Sequence, residues 1–332
     1  AAVEGSITFP SESPVTNELK SYTFTSGTPG NYSVTKVNGA LTMTNANEAI
    51  TITAASQSWT YNGSARTNPA VSVTSGTLLT GDELVATATG SVTNVGDTAN
   101  GNNPIADGWK VMHGTQDVTA NYTITPVAGK LTILPKAVTI TAKSQAFVYT
   151  GETQSNAGYD VAGLVGSDTI TAVVEGSITF PSESPVTNVL KSYAFTSGTW
   201  FNYRVTKVNG ALTMTNANEA ITITAASQSW TYDGAAHTNP AVSVTSGALL
   251  AGDELVAAAT GSVTNAGDTA DGNNSITAGF KVMHGTQDVT ANYTITPVAG
   301  TLTILPKAVT VTAQDKEFAY TGAAQNWPQY NV

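Results

Sequence analysis

Three histidines are the residues of this chain best suited to acid–base chemistry. Hydrolytic catalysis needs a nucleophile, a base and an orienting group in one pocket. His113 and His284 lie in the stretch MHGTQD, which is typical of a β-turn, and His237 stands where a near copy of its segment has Arg66. Because no set of residues supports catalysis, we expect that the chain is not an enzyme.

Two acidic loops are the candidate metal sites. GDTANGNN at Gly96 and GDTADGNN at Gly267 place carboxylate and amide oxygens close together, as a calcium site requires. The weak calcium candidates are Asp97, Asp268 and Asp271. The glutamate that closes an EF-hand loop does not follow, and Asn, Asp and Gly are ordinary turn residues. We therefore predict neither a metal nor a cofactor.

A lysine and an asparagine could form an internal cross-link, as in some surface adhesins, if a buried acid lay beside them. The candidate pairs are Lys110 with Asn121 and Lys281 with Asn292. Asn121 fits equally well as the residue that begins a strand. The sequence leaves both interpretations open.

Adjacent aromatic residues supply a surface of the type that stacks on sugar rings. Trp200 and Phe201 are the candidates for ligand stacking. Trp59 and Tyr61 are two residues apart and share one face of a predicted strand, which favours a place in the core.

Composition excludes several classes of partner. The formal net charge is -10, so no basic surface is expected for nucleic acid or an anionic membrane. No apolar run approaches the roughly 18 to 20 residues of a membrane span, which argues against membrane insertion. Cysteine is absent, so no disulfide or thiolate metal site can form. The first residues show no signal peptide.

The sequence is built from an internal repeat. VEGSITFPSESPVTN begins at Val3 and again at Val174, a shift of 171 positions, and no residue is inserted or deleted between the two copies. A weaker repeat within each period divides it into a longer and a shorter module. We predict five segments: part of a shorter module (1–48), a longer module (49–137), a complete shorter module (138–219), a second longer module (220–308) and part of another shorter module (309–332).

The two end segments are complementary pieces of one shorter module. Residues 309–332 match 138–161, and residues 1–48 match 172–219, so only the ten positions Ala162 to Thr171 lack a counterpart. We predict that 309–332 of one repeat is completed by 1–48 of the next. The completion is either covalent, within a longer protein, or by strand complementation between chains.

An exchange of side-chain volume supports this pairing. Asn156-Ala157 accompanies Trp200-Phe201 in the complete shorter module, whereas the end segments carry Trp327-Pro328 and Pro29-Gly30. In a close-packed contact, a larger side chain on one loop is tolerated when the facing loop carries a smaller one. The predicted contact residues between repeats or chains are Trp327, Tyr330, Pro29 and Tyr32.

The local pattern predicts β-strands throughout. AVTITA at Ala137 alternates aliphatic residues with threonine, and a period of two rich in β-branched residues is typical of half-buried strands. Asn38-Gly39 and Asn209-Gly210 are typical of a tight hairpin, so we expect each module to close with one.

The chain resembles the MBG and YDG-type tandem repeats of large bacterial surface proteins. The motifs that carry the resemblance are YNG, YTG or YDG at Tyr61, Tyr149, Tyr232 and Tyr320, and the stretches Asp117 to Thr125 and Asp288 to Thr296. The shorter modules depart from the pattern because they lack DVTAN.

The resemblance implies small all-β modules, either an immunoglobulin-like sandwich or β-grasp-like, in an elongated rod. It also implies an extracellular, cell-surface location. We predict a structural stalk or filament whose partner is its own head-to-tail neighbour. The alternative is an adhesin module that binds host or environmental glycans.

Overall fold

The protein is entirely β-structure. The computed structural model describes residues 1–332 and contains strands, short 3-10 turns and no α-helix. The predicted all-β class is therefore confirmed. No helix has the length and apolar character needed to cross a membrane.

Thirty strands follow the module order. The N-terminal segment contains β1 (Ala2–Glu4), β2 (Val15–Ser21) and β3 (Gly39–Leu41). The first longer module contains β4 (Glu48–Ala54), β5 (Gln57–Thr60), β6 (Val71–Ser75), β7 (Asp82–Val85), β8 (Lys110–His113), β9 (Gln116–Asp117), β10 (Tyr122–Val127) and β11 (Leu131–Leu134). The complete shorter module contains β12 (Lys136–Ala142), β13 (Gln145–Val148), β14 (Gln154–Ser155), β15 (Tyr159–Ala162), β16 (Thr169–Glu175), β17 (Ser177–Ile178), β18 (Val186–Ser197), β19 (Tyr203–Val208) and β20 (Gly210–Thr215).

The remaining strands repeat the first longer module. The second longer module contains β21 (Glu219–Ala225), β22 (Gln228–Thr231), β23 (Val242–Ser246), β24 (Asp253–Val256), β25 (Lys281–His284), β26 (Gln287–Asp288), β27 (Tyr293–Val298) and β28 (Leu302–Leu305). The C-terminal segment contains β29 (Thr312–Ala313) and β30 (Tyr330–Asn331). The 3-10 turns are Pro10–Glu12, Pro29–Asn31, Val95–Asp97, Thr119–Asn121, Pro181–Glu183, Trp200–Asn202, Ala266–Asp268 and Thr290–Asn292.

The alternation of buried and partly exposed side chains along a strand shows which of its faces lies in the core. In β4, Ile50, Ile52 and Ala54 are buried, whereas Thr51 and Thr53 between them are only partly covered. Successive side chains of a strand point to opposite faces, so one face of β4 lies in the core. The predicted period of two is thus confirmed.

Each longer module is a small sandwich. β4 lies between β6, which is antiparallel to it, and β10, which is parallel, while β7, β8 and β9 form a separate sheet. Ile52 and Tyr122 from the first sheet and Val111 from the second belong to one buried apolar cluster, against which Leu84 packs. Burial of such side chains stabilises the module by about 1.5–3 kcal/mol each.

The predicted closing hairpin is wrong. β4 pairs with β10 from Glu48 opposite Tyr122, and β5 pairs with β11 from Gln57 opposite Leu131, always at a spacing of 74 residues and always in parallel. The last two strands of the longer module are therefore two parts of one extended stretch that runs alongside the first two strands. Gly129 lies between β10 and β11, where a side chain would not fit. An added Cβ would lie 2.3 Å from the Ala55 carbonyl oxygen.

The Asn-Gly pairs have a different role from a hairpin turn. Gly210 lacks the positive φ of a type I′ turn, and β20 runs parallel to β13, with Leu212 opposite Gln145. Asn209 Oδ1 accepts a hydrogen bond from the Leu190 amide at 2.9 Å, and Asn38 does the same for Leu19 at 3.1 Å. The asparagine thus bonds a neighbouring strand.

The chain divides into two compact units. The first comprises 1–140, 161–171 and 194–206, and the second comprises 141–160, 172–193 and 207–332. The shorter module contributes segments to both. Its sheets have the strand orders β15-β12-β19, β13-β20-β18-β16 and β14-β17.

Candidate interaction site

A buried carboxylate lies at the centre of a polar cluster in the second unit. The side chain of Asp253 has 0% exposure. Its Oδ1 accepts a hydrogen bond from the Tyr149 hydroxyl at 2.7 Å and lies 2.8 Å from His284 Nδ1, while its Oδ2 accepts one from the Tyr293 hydroxyl at 2.6 Å. A buried charge is tolerated only with such partners. Tyr149, Asp253, His284 and Tyr293 are called the carboxylate cluster below.

Three motifs of the second longer module position this cluster. Asp253 begins β24 directly after Gly252, and β24 pairs antiparallel with β25, which places Asp253 opposite His284. Tyr293 begins β27, and its hydroxyl accepts a hydrogen bond from the Leu250 amide at 2.8 Å. The stretch MHGTQD has the sequence of a plain turn, and nothing local marks Asp253, because the three motifs are far apart in the chain.

The fourth member, Tyr149, comes from the YTG motif of the complete shorter module. Tyr149 is 1% exposed, and the Phe180 ring stacks against it at 6.3 Å between centroids. Gly151 has a φ of +82°, and an added Cβ would lie 2.1 Å from the Ala251 carbonyl oxygen. Only glycine fits there, so YTG is a loop shaped to dock on the next module.

Burial and charge keep the tyrosines of the cluster neutral. Burial raises the pKa values of Tyr149 and Tyr293 well above the usual range, and the hydrogen bond to Asp253 raises them further. Both phenols therefore remain hydrogen-bond donors to the carboxylate at neutral pH.

A related contact joins the first longer module to the shorter module within the first unit. The Tyr203 hydroxyl donates to Asp168 and accepts a hydrogen bond from the Val165 amide at 3.1 Å. Tyr61 of the YNG motif meets the Tyr203 ring edge-on at 5.4 Å, and a Cβ on Gly63 would lie 3.1 Å from Val165. The tyrosine motif of one module thus again contacts the next module.

Asn202 strengthens this second contact. Its side chain is fully buried, its Oδ1 accepts a hydrogen bond from the Val95 amide at 2.9 Å, and its Nδ2 donates to Asn94 Oδ1 at 2.8 Å. Phe201 lies against Gly96, where a Cβ would be 3.1 Å from the ring. The sequence gives no signal for Asn202, because nothing in its local pattern distinguishes it from a surface asparagine.

The calcium candidates are turn residues in this structure. Asp97 Oδ2 accepts hydrogen bonds from the Thr93 and Asn94 amides, both at 2.7 Å, and these bonds lower the pKa of Asp97. Asp268 makes the equivalent bonds, and Asp271 lies exposed in the same loop. No group of three or more His, Cys, Asp or Glu side chains has an arrangement that could hold a metal ion.

The lysines of the candidate cross-links form ion pairs. Lys110 Nζ pairs with Asp117 at 3.1 Å and Lys281 Nζ pairs with Asp288 at 2.9 Å, so both lysines have carboxylate partners. Asn292 donates to its neighbouring Val289 carbonyl at 3.1 Å. Each lysine is thus paired with a carboxylate, and its cross-link to an asparagine stays a hypothesis.

The aromatic candidates for sugar stacking do not form a flat surface. Trp200 is 69% exposed, but its ring stands at 80° to that of Phe201, with 5.9 Å between centroids. Phe201 is 39% exposed and lies against Gly96. Trp200 therefore offers the more open face.

The predicted inter-repeat residues lie on the end segments. Trp327 carries Lys316 Nζ over its ring at 5.2 Å, and Tyr330 begins β30. Pro29 begins a 3-10 turn, and Tyr32 is 62% exposed. Their contact with another repeat stays a prediction.

Two segments of the chain match one protein family. Residues 138–213 and 221–303 each match the MBG domain of the YGX type. The chain contains tandem MBG domains. The first of these MBG domains supplies Tyr149, and the second supplies the other three members of the carboxylate cluster. The cluster is therefore a contact from one MBG domain to the next.

Other comparisons add little to the MBG match. Comparison with curated proteins gives no match. Among solved structures, the crystal structure of the I9-I11 tandem of titin is similar at 12% sequence identity, covers 79% of this chain and 98% of that chain, and has a TM-score of 0.20.

Proposed function

We propose that these MBG modules form the structural repeat region of an extracellular bacterial stalk or filament and have no catalytic role. Successive modules contact one another through the tyrosine motifs, and the repeats join head to tail by sharing a shorter module between their ends. The resemblance to repeats of bacterial surface proteins supports the cell-surface location.

One observation carries this proposal: side chains that are buried in the complete shorter module are exposed in the C-terminal segment. Val138 is 1% exposed and Ile140 is 0% exposed, whereas their counterparts Val309 and Val311 are 68% and 59% exposed. Covering an aliphatic side chain of this size contributes about 1.5–3 kcal/mol. The C-terminal segment thus presents an apolar face that a partner would cover.

The N-terminal segment likewise exposes side chains that are buried in the complete shorter module. Tyr203 is 6% exposed and Asn202 is fully buried, whereas their counterparts Tyr32 and Asn31 are exposed. In the complete shorter module Asn202 is covered by Asn94 and Val95 of the preceding longer module, so Asn31 would be covered by the second longer module of a neighbouring repeat. Joining unlike ends is a heterologous contact that does not close, so it produces a linear assembly.

Sedimentation velocity over a wide range of concentration tests the assembly. We expect the weight-average sedimentation coefficient to rise with concentration, because association covers the apolar faces of both end segments. A variant with Val309→Asp and Val311→Asp is the control, since it places charges on the face to be covered. Compact monomers at all concentrations would overturn non-covalent assembly.

A second candidate function rests on the exposed face of Trp200. An exposed indole is a common element of sugar-binding surfaces, so the chain as a glycan-binding adhesin module is the alternative. Glycan arrays with the natural chain and with Trp200→Ala distinguish the two functions. A specific signal that the substitution abolishes favours glycan binding, and no signal from either protein favours the structural role.

A further inference from the structure

A cavity of about 210 Å³ lies beside Asp82 in the first unit. Its walls include Phe9, Met43, Leu79, Asp82 and His113. Apolar side chains line about half of the cavity, and polar groups, among them one carboxylate and one imidazole, line the rest. A cavity of about 150 Å³ is enough to hold a benzene ring, so a phenol fits by size and by polarity.

The same position in the second unit holds a tyrosine. A shift of 171 places Phe9 on Phe180, Asp82 on Asp253 and His113 on His284, and every wall residue except Thr80 has an identical counterpart. In the second unit these residues surround Tyr149. The cavity therefore corresponds to the Tyr149 site without its tyrosine.

The bonds around Asp82 confirm this correspondence. Asp82 Oδ2 accepts a hydrogen bond from the Tyr122 hydroxyl at 2.5 Å, and Oδ1 lies 2.7 Å from His113 Nδ1, as at Asp253. The His113 side chain is 40% exposed, whereas that of His284 is 26% exposed. Asp253 Oδ1 also accepts a hydrogen bond from the Tyr149 hydroxyl, and Asp82 Oδ1 has no equivalent tyrosine donor.

We infer that this cavity binds Tyr320 of a second copy of the chain, with the Tyr320 hydroxyl donating to Asp82 Oδ1 and the ring packing near Phe9. Tyr320 is the counterpart of Tyr149 and is 97% exposed. The inference rests on the proposed head-to-tail assembly and identifies the side chain that anchors it.

The donor loop already has its docked conformation. Gly322 has a φ of +75°, close to the +82° of Gly151. Gln325 Nε2 donates to the Ala319 carbonyl and to Thr321 Oγ1, both at 2.8 Å. Gln154 makes the same two bonds in the docked loop. Association therefore costs little ordering of this loop, which favours binding.

The receiving side is preformed as well. The Thr8 and Phe9 amides donate to Glu12 Oε2 at 2.8 and 2.9 Å, as the equivalent amides donate to Glu183 at 2.7 and 2.9 Å. The Met43 amide donates to Ser13 Oγ at 3.0 Å. The wall of the cavity is held in place without an occupant.

Removal of one hydroxyl tests the anchor. Tyr320→Phe keeps the ring and loses the donor to Asp82, so we expect the association constant in sedimentation to fall by about 10- to 100-fold. Tyr320→Ala should weaken association further. The matched control is Tyr22→Phe, because Tyr22 is 40% exposed and its counterpart Tyr193 remains 41% exposed in the complete shorter module. Equal association of all variants overturns the inference.

A photochemical cross-link locates the contact. Tyr320 is replaced by p-benzoylphenylalanine, and equal amounts of 14N- and 15N-labelled chains are irradiated together. We expect cross-links between light and heavy chains, on peptides that contain Phe9, Leu79 or His113. Cross-links confined to single chains, or to other regions, overturn the inference.

A peptide separates failure of the inference from failure of the proposed assembly. A labelled peptide of residues 309–332 is titrated with the full chain and followed by fluorescence anisotropy, and the Tyr320→Phe peptide should bind about 10- to 100-fold more weakly. A chain that stays monomeric but binds the peptide in this hydroxyl-dependent way contradicts only the assembly. A chain that assembles while both peptides bind alike contradicts only the tyrosine anchor.

Discussion

At the scale of single residues, contact between neighbouring modules depends on a tyrosine hydroxyl that reaches a buried carboxylate. Asp253 has three partners, and one of them, Tyr149, belongs to the preceding module. Hydrogen bonds to charged groups contribute about 1.5–3 kcal/mol, more than bonds between neutral groups. One phenol therefore couples the stabilities of two modules.

Tyr149→Phe should lower the free energy of unfolding by about 1.5–3 kcal/mol, because it removes a donor from a buried carboxylate. Chemical denaturation followed by circular dichroism measures the change. Tyr232→Phe is the matched control, since Tyr232 is 42% exposed. An equal loss in the two variants would contradict a special role for the Tyr149 hydroxyl.

Alkaline pH should destabilise the first unit through Tyr122. Burial, followed by the hydrogen bond to Asp82, raises the pKa of Tyr122 to about 12, whereas tyrosine in an unfolded chain ionises near pH 10. The stabilisation is therefore complete below about pH 10 and is lost as the pH rises through about 12. Thermal unfolding between pH 9 and about 12 should show this loss, and Tyr122→Phe should reduce its slope. The same slope in both proteins would exclude Tyr122 as the cause.

At the scale of elements, the first two strands of a longer module run parallel to its last two strands, and both stretches break at the same level. The break requires a residue without a side chain. A Cβ on Gly300 would lie 2.4 Å from the Ala226 carbonyl oxygen and 2.5 Å from that of Ala225. The backbone itself, not a movable side chain, excludes the extra atom.

Gly300→Ala should therefore destabilise the second longer module by about 1–3 kcal/mol, the usual cost of overpacking. Gly267→Ala is the control, because its Cβ would meet nothing within 4 Å. Urea unfolding of both variants gives the comparison. If the two substitutions have the same effect, the close approach at Gly300 is not a constraint.

The contact made by Asn202 allows a test with a built-in control. Asn202→Ala leaves the Val95 amide without its partner and should cost about 1–3 kcal/mol. Asn31→Ala alters the exposed counterpart and should change stability by less than about 0.5 kcal/mol. Both are measured on dilute protein by thermal unfolding. A large effect of Asn31→Ala on the dilute chain would contradict its exposure.

At the scale of the whole molecule, the exposed residues of the two end segments are counterparts of residues that form contacts between modules inside the chain. The carboxylate cluster is complete at Asp253 and lacks its tyrosine at Asp82, while Tyr320 remains exposed. If repeats associate through these ends, the joint between them repeats the contact made at Asp253.

A chain that lacks residues 309–332 should stop this growth. It retains the cavity at Asp82 but has no tyrosine to offer, so it adds to one end of an assembly and prevents further addition. Electron microscopy should show shorter filaments as its proportion increases, with an unchanged axial repeat of one chain. An unchanged length distribution would contradict the head-to-tail arrangement.

The period of 171, the alternation of threonine with aliphatic residues and the YxG motifs determined the repeat, the all-β class and the resemblance to MBG domains. These features are local or periodic, so neighbouring residues reveal them. Which strands pair was not determined in this way. Asn209-Gly210 has the composition of a hairpin turn, but the parallel pairing of β13 with β20 competes with the local preference and prevails.

Tertiary structure alone decided the carboxylate cluster. Tyr149 and Asp253 are 104 residues apart, and nothing in the sequence around either residue pairs it with the other. Only the packing of one module against the next brings the hydroxyl and the carboxylate together and excludes water from both. The sequence determined that the modules repeat, and the burial of a charge between them decided where they join.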